Sequence, residues 1–90
     1  MTRELTRILY VEDDPDIQAI TMMVLETISG FTVEACSCGS DALQKAVAFN
    51  PDLILLDVMM PGMDGPETLK GLRGFPELET TPVVFMTAKV

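Results

Sequence analysis

The sequence predicts an α/β fold built on a doubly wound parallel sheet with strand order 2-1-3-4. Four short apolar segments lie at residues 8–11, 31–36, 53–56 and 83–86, and helical patterns fill the stretches between them. Alternating strands and helices with short connections are typical of parallel strands joined by right-handed crossovers. Three of the segments are continuously apolar, as in strands buried on both faces. The segment 31–36 alternates apolar and polar residues, so we expect it at an edge of the sheet.

Strand 1, at residues 8–11, is followed directly by acidic residues and then by a helix start. Asp14 is suited to the N-cap position and Pro15 to the first helical position, while Gly30 ends the helix. Within residues 15–29, apolar side chains recur at helical spacing and give the helix one apolar face. That face consists of Ile17, Ile20, Thr21, Val24, Leu25 and Ile28.

Two further helices connect the remaining strands. Helix 2 opens at Gly39 and ends at Asn50-Pro51, with a buried stripe formed by Ala42, Leu43, Ala46 and Val47. Helix 3 is short and begins at Pro66. Its apolar side chains are Leu69 and Leu72, and we expect Gly71 and Gly74 to interrupt it.

Composition limits the functions that the chain can have. Ninety residues allow one domain, and 48% hydrophobic and 22% charged residues are typical of a folded cytosolic protein. No apolar run approaches the ~20 residues of a membrane span. A net charge of −8 argues against a nucleic-acid-binding surface and suits a protein that holds a cation or docks on a basic partner. With no histidine present, Cys36 and Cys38 are interpreted as reduced, packed residues rather than a zinc site.

Acidic residues follow two of the predicted strands. Asp57 closes strand 3, and Glu12 and Asp13 follow strand 1, while Thr87 closes strand 4. The carboxyl ends of parallel strands lie on one rim of the sheet, where such folds bind ligands. Carboxylates crowded there repel one another, and Mg²⁺ would relieve the repulsion. A carboxylate beside such a cation can attack phosphorus and form an aspartyl phosphate, with the Thr87 hydroxyl as a donor.

Three segments together resemble the receiver domain of two-component response regulators. They are V-E-D-D-P at 11–15, L-L-D-V-M-M-P-G-M-D-G at 55–65 and M-T-A at 86–88. The resemblance runs the whole length of the chain and implies a flavodoxin-like (CheY-like) fold. It also implies a cytoplasmic signalling switch that is not an enzyme beyond self-catalysed phosphorylation and dephosphorylation.

The resemblance assigns roles to individual residues. It implies that Glu12 and Asp13 bind Mg²⁺ together with Asp57 and the backbone carbonyl of Met59. It implies that Asp57 accepts a phosphoryl group from a sensor histidine kinase or a phosphotransfer protein. Thr87 would bind that phosphoryl group and couple it to a conformational switch.

The chain departs from the family after strand 4. The family's fold continues through a fourth helix, a fifth strand and a fifth helix, so residues 1–90 are expected to be a receiver domain truncated at its C-terminus. The lysine that closes strand 5 has no counterpart, because Lys89 follows strand 4. Because strand 5 and helix 5 are missing from these residues, we expect the apolar edge of strand 4 and the face of helix 1 that would meet helix 5 to be uncovered. We expect the strand-4 edge to form a homodimer, by strand pairing or by exchange of the terminal segment.

Two other functions compete with the phosphorylated switch. A phosphorylation-incompetent interaction or dimerisation fragment would follow from the missing lysine. A phosphohydrolase of the haloacid-dehalogenase type also forms an aspartyl phosphate, but it needs a second aspartate two residues after the first, where this chain has Met59. A calcium loop is excluded because the residues after Asp57 supply no alternating oxygen ligands.

Overall fold

The computed structural model describes residues 5–86 and contains a four-stranded parallel sheet. Its strand order is β2-β1-β3-β4, which confirms the predicted doubly wound fold. In the register of the sheet, Val11 pairs with Leu56 and Asp57 pairs with Met86. The strands are β1 Arg7–Val11, β2 Thr32–Cys36, β3 Leu53–Asp57 and β4 Val83–Met86.

The helices begin and end near the predicted positions. Asp14 caps α1 by accepting hydrogen bonds from the N–H groups of Asp16 and Ile17, and Asp64 caps α3 in a capping box with Glu67. No helix within residues 5–86 is long and apolar enough to cross a membrane. The helices are α1 Pro15–Met23 with a π-helical continuation Val24–Ile28, α2 Gly39–Phe49, α3 Gly65–Arg73, and a 3-10 turn Pro76–Leu78.

The hydrophobic core joins α2 and α3 to one face of the sheet. Alternate residues of β1 and β3 point into it, as the two-residue period of a strand requires. The central members of the cluster are buried: Leu9, Val11, Ala42, Ala46, Ile54, Leu56 and Leu72. Ile8 and Tyr10 are also buried but belong to the opposite face of β1, so the central strand is covered on both sides.

One expectation about burial is confirmed and another is wrong. The apolar face of helix 1 is uncovered as expected: no residue of α1 or its π-helical continuation is buried, and Ile20 and Ile28 are 65% and 75% exposed. The expectation that strand 4 is buried on both faces is wrong, since Val84 and Phe85 are 48% and 41% exposed. The helical side chains of the described core cluster come from α2, α3 and the 3-10 turn, while α1 contributes none to it.

Two smaller expectations also differ from the structure. Gly71 does not interrupt α3 but lies inside it. The close approach of α2 accounts for a glycine at this position, because a Cβ there would lie 2.8 Å from Cδ2 of Leu43. Gly74 does end the helix, at its C-cap. Both cysteines are free, as predicted, but only Cys36 is packed in the core, whereas Cys38 is exposed.

Candidate metal centre at the strand ends

Three carboxylates meet at the carboxyl edge of the sheet. Glu12, Asp13 and Asp57 each offer one oxygen, and these oxygens all lie within 4.8 Å of one another. Glu12 is 1% exposed and Asp57 is 2% exposed, whereas Asp13 is half-buried. The structure therefore brings together the three acids that the strand pattern placed on one rim.

The parallel pairing of β1 with β3 explains why these acids meet. Val11 and Leu56 are register partners, so the next residue of each strand, Glu12 or Asp57, emerges at the same edge. The backbone N–H of Glu12 donates to the carbonyl oxygen of Cys36 at 3.0 Å, which extends the contact between β1 and β2 by one residue. The cluster is thus formed where β1 and β3 end, with Asp57 as the last residue of β3 and with Glu12 and Asp13 directly after β1.

Backbone N–H groups orient two of the carboxylates. Asp14 N–H donates to Oε2 of Glu12 at 3.1 Å, and Met59 N–H donates to Oδ1 of Asp57 at 3.3 Å. The Val58 N–H donates to the carbonyl oxygen of Met86 at 3.2 Å, which ties the residue after Asp57 to the end of β4. These bonds fix the chain immediately after β1 and β3, where the acids lie.

An open cleft lies beside the carboxylates. It has a volume of about 1000 Å³ and runs between the start of α1 and the segment that follows β3. Its lining mixes acids with apolar side chains: Asp13, Asp14, Pro15, Val58, Met59, Met60, Pro61, Asp64 and Pro66. Asp13 is the member of the carboxylate cluster that lines the cleft, so a ligand in the cleft meets the cluster at Asp13.

The donor set suits a hard divalent cation. Burying negative charges costs free energy unless they are compensated, and two of the three carboxylates here are almost fully buried. Mg²⁺ prefers oxygen ligands and keeps several waters, so one or two carboxylates beside an open cleft are sufficient to hold it. Glu12, Asp13 and Asp57 fit such an ion by chemistry and by mutual distance.

Of the remaining predicted site residues, the structure describes Met59 but not Thr87. Met59 lies beside Asp57, and its side chain is 71% exposed; the metal-ligand role of its carbonyl stays a prediction. Thr87 and Lys89 lie outside the described residues 5–86.

Sequence reasoning missed two residues that contact the site's backbone. Gln18 Nε2 donates to the carbonyl oxygen of Glu12 at 3.0 Å, and Gly65 packs against the backbone of Asp57. Gln18 could have been found from its position four residues after the N-cap Asp14, which places it on the same face of the helix as the cap. Nothing in the local sequence distinguishes Gly65 from an ordinary turn glycine.

Residues 8–90 match the response regulator receiver domain family. This match covers nearly the whole chain, including every acid of the cluster. The chain belongs to this family. Receiver domains are signalling domains that are not generally classed as enzymes, and they bind Mg²⁺ at an acidic pocket. Membership therefore favours the signalling interpretation over the phosphohydrolase.

A curated relative illustrates how much of a full-length protein the chain covers. The transcriptional regulatory protein ResD of Bacillus subtilis (strain 168) is 39% identical over 84 residues. The aligned region covers 93% of this chain but 33% of ResD. The chain thus corresponds to about one third of that regulator.

Solved structures share the fold closely. The chemotaxis protein CheY4 of Vibrio cholerae superposes with a TM-score of 0.88 at 31% identity, covering 97% of this chain and 72% of CheY4. The receiver domain of the sensor histidine kinase PA1611 from Pseudomonas aeruginosa PAO1 superposes with a TM-score of 0.86 at 28% identity, covering 96% of this chain and 70% of that one. The PA1611 structure has a magnesium ion coordinated in its active-site cleft.

Proposed function

We propose that this chain is a receiver domain that accepts a phosphoryl group on Asp57 in a Mg²⁺-dependent reaction and acts as a signalling switch. The single observation that carries the proposal is the meeting of Glu12, Asp13 and Asp57 within 4.8 Å at the strand ends, beside an open cleft. The donor is a sensor histidine kinase or a phosphotransfer protein, as is usual for the family to which the chain belongs.

The transfer needs one nucleophile and one leaving group. A carboxylate oxygen of Asp57 attacks the phosphorus of a phosphohistidine, forming an O–P bond while the P–N bond breaks. The electron pair of the broken bond stays on the imidazole nitrogen, which takes a proton, and the product is an aspartyl phosphate. The Asp57 carboxylate is held for this step by the Met59 N–H.

Residues around Asp57 would hold the cation and the transferred group. Glu12, Asp13, Asp57 and the carbonyl of Met59 are the proposed metal ligands. When bound, Mg²⁺ would neutralise negative charge on the phosphoryl oxygens. The Thr87 hydroxyl is proposed to donate to one of those oxygens and to relay the change to the rest of the domain.

A phosphorylation assay tests this function. The chain is incubated with Mg²⁺ and a small phosphodonor, or with beryllium fluoride, and intact mass or a spectral change is measured. We expect a modified species that requires Mg²⁺ and that is absent in Asp57→Asn. A folded chain that binds Mg²⁺ but never reacts would instead support the phosphorylation-incompetent interaction fragment.

The family also indicates the kind of protein and the cellular compartment in which the chain works. We infer a single receiver domain over residues 1–90 that serves within a longer regulator, since ResD is about three times the aligned length. ResD is named as a transcriptional regulatory protein, so we place the chain in the cytoplasm, where a regulator can reach DNA. We assign no nucleic-acid contact to these residues, whose net charge is −8.

A second candidate function is self-association through β4. Among the described residues β4 pairs with β3 alone, and Val84 and Phe85 are about half exposed. An apolar strand with an open edge favours pairing with another chain. We propose a homodimer formed by this edge, and light scattering at tens of micromolar tests it. A strictly monomeric profile would rule the homodimer out.

A further inference from the structure

A side-chain amide on α1 links the ends of β1 and β2 at the acid loop, which we define as residues 12–14. Gln18 Nε2 donates to the carbonyl oxygen of Glu12 at 3.0 Å and to that of Cys36 at 3.3 Å. Both partners are carbonyl oxygens, which only accept hydrogen bonds. The half-buried Gln18 side chain therefore has to be a donor in this position.

The acid loop depends on such polar contacts because α1 is weakly packed. No residue of α1 is buried, so core packing alone does not fix the helix start relative to the strands. Hydrogen bonds join the two instead: the Gln18 amide reaches back to Glu12, and Asp14 N–H donates to Oε2 of Glu12 at 3.1 Å. Glu12 is thus held at its backbone and at its carboxylate.

The Gln18 contact bears directly on the carboxylate cluster. Glu12 and Asp13 belong to the acid loop, whereas Asp57 belongs to β3, so their approach within 4.8 Å requires the loop to stay at the sheet edge. A rotation at the Glu12 carbonyl would carry the next residue, Asp13, away from Asp57. The Gln18 amide opposes that rotation because it binds this carbonyl.

We propose that Gln18 is a positioning residue for cation binding, whose amide holds the acid loop so that Glu12 and Asp13 face Asp57. The inference rests on the proposed Mg²⁺ site and adds to it a residue outside the ligand set. Groups that orient metal ligands in this way alter metal affinity when they are replaced.

Matched substitutions separate donation from simple packing. Gln18→Met keeps the length and helix propensity of the side chain but removes the donor, whereas Gln18→Arg keeps a donor. Gln44→Met makes the same chemical change at an exposed position of α2 and serves as the control. Urea unfolding of each variant shows that it is folded.

The first measurement is the Mg²⁺ dissociation constant, obtained by calorimetry or by NMR titration. We expect Gln18→Met to weaken binding about tenfold. Gln44→Met should bind Mg²⁺ as the unsubstituted chain does. Gln18→Arg is compared only by hydrogen exchange, because its added positive charge lowers cation affinity by itself. Equal affinity of Gln18→Met and the unsubstituted chain would overturn the inference while leaving the proposed function intact.

The second measurement needs no metal. Amide hydrogen exchange of Glu12 and Asp14 reports on the acid loop directly, because both N–H groups are hydrogen bonded there. We expect faster exchange at these two amides in Gln18→Met but not in Gln18→Arg. If the unsubstituted chain bound no Mg²⁺, the proposed function would fail on its own, and unchanged exchange rates would reject the role of Gln18.

Discussion

Gly65 packs against the backbone of Asp57 so closely that it leaves no room for a side chain. A Cβ at Gly65 would lie 2.6 Å from the carbonyl oxygen of Asp57 and 2.9 Å from Cα of Val58. The Gly65 N–H donates to the carbonyl oxygen of Val58 at 2.9 Å. Because the neighbours are backbone atoms, they cannot rotate away. The start of α3 is therefore fixed directly against the strand end that carries the acid cluster.

Gly65→Ala should damage both stability and the site. The added methyl group has to displace the backbone at Asp57 and Val58, which we expect to cost about 1–3 kcal/mol of unfolding free energy and to weaken Mg²⁺ binding. Urea unfolding and Mg²⁺ titration measure the two effects. Gly74→Ala is the control, since it adds the same group at the other end of α3, where the nearest atom is 3.2 Å away. Unchanged Mg²⁺ affinity in Gly65→Ala would show that this contact does not position Asp57.

The sequence was sufficient to predict the architecture because the relevant signals are local. The four apolar segments correspond to the four strands. The segment at 31–36, which alternates apolar and polar residues, contains the edge strand β2. Asp14 and Pro15 begin α1 as their conformational preferences require. The position of Asp57 at the end of β3 follows from the apolar run before it.

Other features depend on contacts between distant residues and could not be read from local patterns. The fit of Gly71 against Leu43 and of Gly65 against Asp57 exists only after the helices have packed. The helical spacing of Ile20 and Ile28 indicates a shared apolar face, whereas the exposure of that face depends on which elements cover α1. In the sequence, Gln18 has the character of a surface residue of helix 1. Its contacts with the carbonyl oxygens of Glu12 and Cys36 exist only in the folded chain.

Mg²⁺ should stabilise the chain, and Asp57→Asn should abolish the effect. A ligand that binds the folded state at ten times its dissociation constant adds about 1.4 kcal/mol of unfolding free energy. Without metal, Asp57→Asn should be more stable by about 1 kcal/mol, since one charge is removed from a crowded cluster. Thermal unfolding with Mg²⁺ and with a chelator measures both. Glu79→Gln, an exposed acid near the opposite end of β4, should keep the full response to Mg²⁺; equal stabilisation of Asp57→Asn would exclude Asp57 as a ligand.

Gly71 and Leu43 should show a strong energetic coupling. Glycine inside a helix is about 1 kcal/mol less favourable than alanine, so Gly71→Ala improves the helix itself. The new Cβ would lie 2.8 Å from Cδ2 of Leu43, and this overlap should cancel the gain. In a Leu43→Ala background, the same change should stabilise the chain by about 1 kcal/mol. A double-mutant cycle by urea unfolding gives the coupling, and additive effects would contradict the contact.

The two thiols should react at very different rates. Hydrogen bonding to Ser40, 3.3 Å away, lowers the pKa of the exposed Cys38, whereas burial raises the pKa of Cys36 to about 12. The thiolate is the reactive form, and a lowered pKa gives more of it at a given pH. Near neutral pH, iodoacetamide should therefore label Cys38 and spare Cys36 until the chain unfolds. Ser40→Ala should raise the pKa of Cys38 and slow its labelling, and Cys38→Ser should remove the fast phase; rapid labelling of Cys36 in the folded chain would refute the assignment.

Arg73 should stabilise the connection between α3 and β4 without affecting the metal site. Its Nη1 donates to the carbonyl oxygens of Leu78 and Thr81, both at 2.7 Å, and to that of Glu79 at 3.2 Å. Arg73→Ala should lower the unfolding free energy by about 1 kcal/mol, because these carbonyls lose a charged donor. Lys70→Ala removes the same charge from the last turn of α3 and should cost less, because it leaves the hydrogen bonds of Arg73 in place. Urea unfolding gives the change in unfolding free energy for both variants, and Mg²⁺ titration checks the metal site. An equal loss of unfolding free energy in the two would mean that charge at the helix end, rather than the hydrogen bonds of Arg73, provides the stabilisation.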